Sequence, residues 1–107
     1  MDLQTLAILF AMLKGKTAES TGSTPEIEAE PGTVYECGEV STLDFTPSAT
    51  GICGVVFTSG STATVLTVPD TVIWPAWFDP DDLETDTIYE LNIRNGIYGV
   101  VTTWPAS

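Results

Sequence analysis

The strongest constraint on how this chain folds lies in residues 87–104, where two apolar-rich runs are joined by Asn95-Gly96. Asn-Gly between such runs is the best short-range indicator of a β-hairpin, because a type I′ turn requires positive φ at both central residues. A two-residue turn places Leu91 opposite Val100 and fixes the register of both strands. The predicted hairpin has one apolar face, formed by Tyr89, Leu91, Ile93, Tyr98, Val100 and Trp104.

Residues 32–107 are predicted to form one β-rich head domain. Several short apolar or alternating runs precede the hairpin, and turn residues separate them, most clearly in the PSATG stretch at 47–51. This pattern predicts a mainly β fold, either a small antiparallel β-sandwich or a barrel. A chain of 107 residues is long enough for one domain with a single modest core.

Residues 1–15 are predicted to form a short amphipathic helix. Its apolar seam has the 3-4-3 spacing of a helix face and consists of Leu3, Leu6, Phe10 and Leu13. A signal peptide carries basic residues before its apolar stretch, whereas here the lysines follow it. A transmembrane helix needs about 20 apolar residues, and this stretch has far fewer. The helix either packs on its own β-domain or is exposed for oligomerisation or docking. We favour a helix exposed for oligomerisation or docking. A helix this short is marginal alone in water, so it should need partner chains.

Residues 16–31 are predicted to be an acidic, flexible linker. They are rich in Ser, Thr, Glu and Pro and show no apolar periodicity. The predicted order is therefore an anchoring or oligomerisation helix at 1–15, a linker at 16–31 and a head at 32–107.

The charge of the chain excludes several classes of function. Fifteen acids and three bases give a net charge of −12. Nucleic-acid binding requires clustered Lys and Arg, and an anionic membrane repels such a surface. The chain has no histidine, which removes the usual general base and the commonest metal ligand. We therefore expect no enzymatic activity, no metal site and no cofactor.

Two other groups of reactive side chains have simple structural interpretations. Five carboxylates lie within 79–86, and hard cations such as Ca²⁺ favour such groups. An EF-hand loop needs glycine where Glu84 stands, so we predict a solvated turn capped by Asp79. Cys37 and Cys53 allow either a disulfide or two half-buried thiols on neighbouring strands, and we favour the thiols.

Four residues of the head are candidates for surface contact. Trp74, Trp77 and Phe78 surround a proline and could form a platform for a carbohydrate or a protein. In a domain this small, such aromatic residues more often belong to the core or to an oligomer seam. Arg94 lies at the predicted hairpin tip, where loops commonly carry contacts.

Three segments of the head resemble the small C-terminal β-domains of bacteriophage fibre proteins from prophages of gut Firmicutes. They are GTVYECGEVSTLDF at 32–45, FTSGSTATVLTVP at 57–69 and the hairpin that begins at Thr87. The stretch LQTLAILFAMLKGK near the start is similar to the short N-terminal helices that precede low-complexity linkers in those proteins. The shared motifs are compositional and turn-based rather than catalytic.

The resemblance implies a virion structural protein, commonly a homotrimer, that is assembled in the cytoplasm of a bacterial host. Its N-terminal helix would attach to a capsid or tail protein, and its head would point outward with almost no shaft between the two. The short distance between helix and head favours a short head fibre or a capsid-decoration protein over a long tail fibre. The alternative is a receptor- or glycan-binding module that meets the host cell surface through the exposed aromatic residues of the head. The resemblance assigns no site residues.

Overall fold

The computed structural model describes residues 16–20 and 22–106. Within them, the backbone forms eight β-strands and no helix. The strands are β1 (Lys16–Glu19), β2 (Glu26–Glu28), β3 (Thr33–Glu39), β4 (Thr42–Thr46), β5 (Ile52–Ser59), β6 (Val65–Thr67), β7 (Thr87–Arg94) and β8 (Tyr98–Pro105). No helix long and apolar enough to cross a membrane occurs in this part of the chain.

The first six strands alternate between two sheets. Strands β1, β3 and β5 run parallel in a five-stranded sheet of order β1-β3-β5-β7-β8. Strands β2, β4 and β6 run parallel in a three-stranded sheet. One strand from each sheet makes one coil of the chain, and three such coils stack on one another. The hairpin β7–β8 then adds two antiparallel strands beside β5.

The predicted mainly β fold is confirmed, but the predicted antiparallel pairing is wrong for most of it. Four of the six strand pairings among the described residues are parallel. Neither sheet closes on itself, so the barrel is wrong as well. The physical reason lies in the turns, which carry the chain from one sheet to the other instead of reversing it within one sheet.

Residues 16–31 supply the first two strands, so the predicted linker is wrong where the structure describes it. Strand β1 pairs with β3 at the edge of the five-stranded sheet, and β2 pairs with β4. The polar composition is misleading because a short edge strand buries few side chains: in β2, Ile27 alone is buried. The helix predicted at 1–15 lies outside the described residues.

The two sheets enclose one hydrophobic core. The ring of Phe57 in β5 stacks on that of Tyr89 in β7 with centroids 5.5 Å apart, and Tyr35 in β3 meets Phe45 of the second sheet edge-on. The loop between β6 and β7 adds three buried side chains to this core, those of Val72, Phe78 and Leu83. The side of the five-stranded sheet that faces this core is its inner face, and the opposite side is its outer face.

The hairpin turn has the predicted conformation. Asn95 and Gly96 have φ angles of 53° and 68°, and the Ile97 N–H donates to the Arg94 carbonyl oxygen at 3.0 Å. These are the features of a type I′ turn. The Ile97 carbonyl oxygen accepts a hydrogen bond from the Ile73 N–H at 2.6 Å, outside the hairpin. Ile97 therefore acts as a bulge residue, and the register shifts by one position.

The shift makes the predicted apolar face wrong for β8. Leu91 lies opposite Val101 rather than Val100, and Val101 is buried. Tyr98 and Val100 lie on the outer face, where 57% and 59% of their surfaces are exposed, and Trp104 shares that face. A one-residue slip reverses every side chain of a strand, because the side-chain period of a strand is two.

Candidate interaction surfaces

The structure places the predicted contact residues in different environments. The four residues predicted to anchor or oligomerise the chain lie outside the described residues; they are Leu3, Leu6, Phe10 and Leu13. The three aromatic residues lie in the loop between β6 and β7, and Arg94 ends β7.

The aromatic group is mostly internal. Phe78 is buried, and its ring lies edge-on to Trp74 and Trp77 with centroids 5.1 and 5.9 Å away. Trp74 is half-buried over Gly99, where a Cβ atom would collide with the indole ring. Trp77 is 63% exposed. Of the three predicted rings, only that of Trp77 therefore offers a large open surface to a ligand.

Arg94 belongs to a row of side chains on the outer face that crosses three strands and ends at one bridge residue of the loop between β6 and β7. It lies opposite Ile52 in β5 and Tyr98 in β8, and Tyr98 in turn forms a parallel bridge with Ile73. Directly paired residues in a sheet project to the same face. These four residues, Ile52, Arg94, Tyr98 and Ile73, are called the tip row below.

Among the described residues, most of the exposed large apolar side chains lie in or beside the tip row. Ile52, Tyr98 and Ile73 are 40%, 57% and 59% exposed. Ile97 and Val100 adjoin the row, and these five account for most of the large apolar side chains that the described surface exposes. A contiguous exposed apolar region on a soluble protein commonly marks a contact site, and Tyr and Arg are frequent anchors in such sites.

Hydrogen bonds hold the backbone beneath the tip row. The Asn95 N–H donates to the Gly51 carbonyl oxygen at 2.8 Å, and the Gly51 N–H donates to the Asn95 side-chain oxygen at 3.1 Å. A Cβ atom at Gly96 would lie 3.2 Å from the Ser48 carbonyl oxygen, so this turn rests closely on the turn before β5. The surface is therefore preorganised, which lowers the entropy lost on binding.

The carboxylates of the described residues do not assemble a cation site. No group of three or more His, Cys, Asp and Glu side chains suited to a metal occurs among them. In the acid-rich loop, Asp79 accepts a hydrogen bond from the Asp81 N–H at 2.9 Å, and its carbonyl oxygen accepts one from the Asp82 N–H at 3.1 Å. This geometry is that of a capped turn.

The middle of the outer face is buried, unlike the tip row at its end. Val34 and Val56 are 0% and 2% exposed. Glu90 is 0% exposed; its Oε2 accepts a hydrogen bond from the Asn92 side chain at 2.7 Å, and its Oε1 has no hydrogen-bond partner among the described residues. Gly54 lies between Val34 and Asn92, and the Asn92 side chain occupies the space above it. No pattern in the sequence indicates that these side chains are buried.

Two titratable groups of β3 are perturbed by burial. Partial burial raises the pKa of Glu36, and the neighbouring Glu19 carboxylate on β1 raises it further. Burial also raises the pKa of the Cys37 thiol to about 11, although a hydrogen bond with Ser20 opposes the change. Cys37 and Cys53 are both free. A thiol with so high a pKa is a poor nucleophile near neutral pH.

The sequence predicts Arg94 as a candidate for surface contact but does not predict most of the residues that lie beside it. Ile52 and Ile73 are not among the predicted contact residues, and Ile73 falls in a loop that shows no alternation. The bridge between Ile73 and Tyr98 joins residues far apart in sequence, and no local pattern predicts it. The register shift hid Tyr98 and Val100 as well, because it reversed the face on which they lie.

The fold and these surfaces define a mainly β protein with two open sheets and an exposed apolar region around one arginine. No protein-family model, no curated protein and no solved structure matches the chain.

Proposed function

We propose that this chain is a virion structural protein of a bacteriophage, a short fibre or capsid-decoration protein displayed on the particle. It associates with itself as a homotrimer and is attached to a capsid or tail protein by its N-terminal segment. The observation that carries the proposal is the tip row, an exposed and rigid apolar surface around an arginine on a strongly acidic chain. The resemblance of segments 32–45, 57–69 and the hairpin to fibre-protein heads supports the same class.

Charge explains why the tip row suits self-association. Copies with a net charge of −12 repel one another, so a contact is best tolerated where a cation lies at its centre. Arg94 is the only basic residue after position 16, and it lies between Ile52 and Tyr98. A carboxylate of a second copy could pair with it while the apolar neighbours supply buried area. Closed symmetry would satisfy the same surface on every copy.

Oligomeric state is tested by light scattering on the full-length chain. We expect a trimer, and we expect V100E to shift it towards monomer because the glutamate places a charge beside the tip row. The matched control is V65E, which makes the same change at a residue that is 63% exposed on the second sheet. A monomer at every concentration, or equal effects of the two variants, would contradict self-association through the tip row. Truncation before residue 30 is unsuitable, since it removes β1 and β2.

Display on the particle is tested by mass spectrometry of phage particles purified from the strain that encodes the chain. The full-length protein should be present in the particles in stoichiometric amounts. Substitution of Leu6 and Phe10 by Asp should remove it from the particles while the soluble protein keeps its fold. Absence of the unsubstituted protein from the particles would reject the virion assignment, whatever its oligomeric state.

A second candidate function is recognition of a glycan or receptor on the host surface. The observation that favours it is the exposed ring of Trp77, which rests edge-on against the buried Phe78. Exposed tryptophan rings are common binding anchors. Host cell-wall glycans should then quench tryptophan fluorescence, and W77A should abolish that change while leaving the fold intact. A titration without any change in fluorescence would count against this function.

A further inference from the structure

One of the edge strands of the two sheets is unlike the others. Among the described residues, β1 and β8 border the five-stranded sheet, and β2 and β6 border the other. Strands β1, β2 and β6 have only three or four residues, and β1 and β2 also carry charged side chains. Strand β8 has eight residues and no charged side chain. Charge and shortness keep exposed strand edges from pairing with other chains, and β8 has neither.

Hydrogen bonds near both ends of β8 show which backbone groups face the edge of the sheet. The Ala106 N–H donates at 2.9 Å to the carbonyl oxygen of Asp86, on the side of β7. The Gly99 N–H donates at 2.9 Å to a carbonyl oxygen of the loop between β6 and β7, on the opposite side. Backbone groups alternate in direction along a strand, so those of Val101 and Thr103 point away from β7.

The free part of this edge is bounded at both ends. The bridge between Ile73 and Tyr98 occupies the edge at the first residues of β8. Pro105 ends the strand and has no N–H to donate. Residues 100–104 are therefore the open edge of β8, and its exposed side chains are those of Val100, Thr102 and Thr103.

We propose that the open edge of β8 pairs antiparallel with the open edge of a second copy of this chain, about a two-fold axis at Thr102. Val101 then lies opposite Thr103 of the second copy, and the outward N–H and carbonyl groups of both residues are bonded. Val100 lies opposite Trp104 of the second copy, on the outer face. A cross-strand pair of an aromatic and a β-branched residue stabilises a sheet. The two five-stranded sheets become one continuous sheet.

The position of the axis follows from the ends of the open edge. An axis at Val101 would place Thr103 opposite Gly99, whose N–H is already bonded to the loop. An axis at Thr103 would place Val101 opposite Pro105, which has no N–H. Of these three axes, only the one at Thr102 bonds every outward backbone group of Val101 and Thr103.

Charge indicates that the partner is a second copy. The chain has a net charge of −12, yet residues 95–107 contain no charged side chain. Two copies therefore approach each other with little repulsion along β8, and no carboxylate of the strand is buried between them. The open edge is also complementary to itself, and a two-fold axis satisfies the same residues on both copies.

The contact is small, so it forms between copies that are concentrated. Residues 100–104 of each copy pair, whereas a stable protein interface uses about 20–30 residues a side. Repulsion between the acidic copies opposes the pairing, and salt weakens that repulsion. This inference goes beyond the proposed function and does not rest on it. Pairing through β8 joins two copies of whatever assembly the tip row makes, either two trimers or two single chains.

Disulfide trapping in the full-length chain tests the register. Thr102 and its counterpart form a pair without mutual hydrogen bonds, in which the Cα atoms lie about 4.5 Å apart, a distance that suits a disulfide. In a glutathione redox buffer, T102C should form covalent dimers at least about tenfold faster than T67C, because pairing holds the two thiols together. T67C is the matched control, since Thr67 is an exposed residue of β6. Equal rates on a non-reducing gel would overturn the proposal.

Mass in solution separates this contact from the tip row. Light scattering at rising protein concentration and ionic strength should show the mass double, from trimer to hexamer, or from monomer to dimer if the tip row holds no trimer together. T103P should abolish the doubling, because it removes an outward N–H at an edge position that tolerates proline. T103A keeps this N–H and should still double.

The outcomes distinguish the two proposals. Absence of doubling in the unsubstituted protein, or doubling that persists in a T103P variant whose circular dichroism is unchanged, would overturn pairing through β8. A monomer that doubles to a dimer, and fails to do so in T103P, would support pairing through β8 and reject the trimer of the proposed function.

Discussion

The three parallel coils and the closing hairpin contribute to the same five-stranded sheet in different ways. In the coils, from β1 to β6, every strand pairs with the second strand before or after it, because the intervening strand lies in the other sheet. In the hairpin, β7 pairs with the strand that follows it directly. Strand pairing in the hairpin therefore depends on a turn that four consecutive residues specify. Strand pairing in the coils depends on the core that lies between the two sheets. The variants below test that contrast, and they follow in order of decreasing effect.

The largest effect is expected in the core shared by the coils and the hairpin. Phe57 is fully buried in β5 and stacks on Tyr89 in β7. F57A should lower the free energy of unfolding by about 3–5 kcal/mol, since it removes a large buried side chain and leaves a cavity. Chemical denaturation monitored by circular dichroism measures this loss. V65A at an exposed position should change stability little, and a similar loss in both variants would show that the core does not dominate.

A smaller effect is expected at the junction between the coils and the hairpin. Gly54 in β5 is paired with Asn92 in β7, and a Cβ atom there would lie 2.5 Å from the Asn92 Oδ1 and 3.1 Å from the Leu91 carbonyl oxygen. G54A should destabilise the protein by about 1–3 kcal/mol through this crowding. The matched control is G38A, because nothing lies within 4 Å of a Cβ at Gly38. Equal thermal midpoints for the two variants would contradict the close approach of β5 and β7.

The hairpin turn should be less sensitive than either of these sites. Gly96 has a φ of 68°, which is unfavourable for alanine, and its Cβ would press on the Ser48 carbonyl oxygen. G96A should therefore lower the free energy of unfolding by about 1–2 kcal/mol. N95G keeps a residue that tolerates positive φ and should be milder, although it loses the side-chain bond to Gly51. Thermal unfolding of both variants tests whether the conformation of the turn matters more than its side chain.

The smallest effect is expected from charge at the edge of the coils. The pKa of Glu36 is raised above its ordinary value of 4.5 by burial and by Glu19. The folded protein therefore holds this proton more tightly than the unfolded chain, and stability falls as pH rises from about 4.5 through the folded pKa. E36Q should remove that fall and raise stability at neutral pH by about 0.5 kcal/mol.

The pH effect is measured as the thermal midpoint across that pH range. E19Q removes only the repulsion from Glu19 and should flatten the pH dependence in part. The remaining pH dependence then measures the contribution of burial to the raised pKa of Glu36. A thermal midpoint of E36Q that falls with pH as steeply as that of the unsubstituted chain would contradict the role of Glu36.

The hairpin illustrates how far the sequence predicts this fold. Asn95-Gly96 correctly predicts a type I′ turn, because the two positive φ angles are a local requirement. The register is wrong by one residue because Ile97 bonds to Ile73, which is distant in sequence. In the coils the alternation indicates most strands but not their partners, since nothing local states that consecutive strands belong to different sheets. The strands within 16–31 were missed because β2 needs only Ile27 to be apolar.

The candidate surface was predictable only in part, because contacts between residues distant in sequence leave no local pattern. Arg94 follows from its place beside the turn, since hairpin tips are exposed. Its apolar neighbours Ile52 and Ile73 come from a parallel coil and from a loop, and only the folded sheet brings them together. Trp77 and Phe78 are adjacent in sequence, yet one is exposed and the other is buried. Composition alone does not tell which of two adjacent aromatic residues is exposed and which is buried.

The position of β5 has a consequence for synthesis of the protein. Its partner on one side, β3, is made before it, but its partner on the other side, β7, is made much later: Ser59 pairs with Thr87 and Ile52 with Arg94. During translation, one edge of β5 therefore stays unpaired until residue 87 has emerged, and it is fully paired only after residue 94. Unpaired strand edges promote association between chains. The growing chain therefore exposes a strand edge that β7 covers in the finished head.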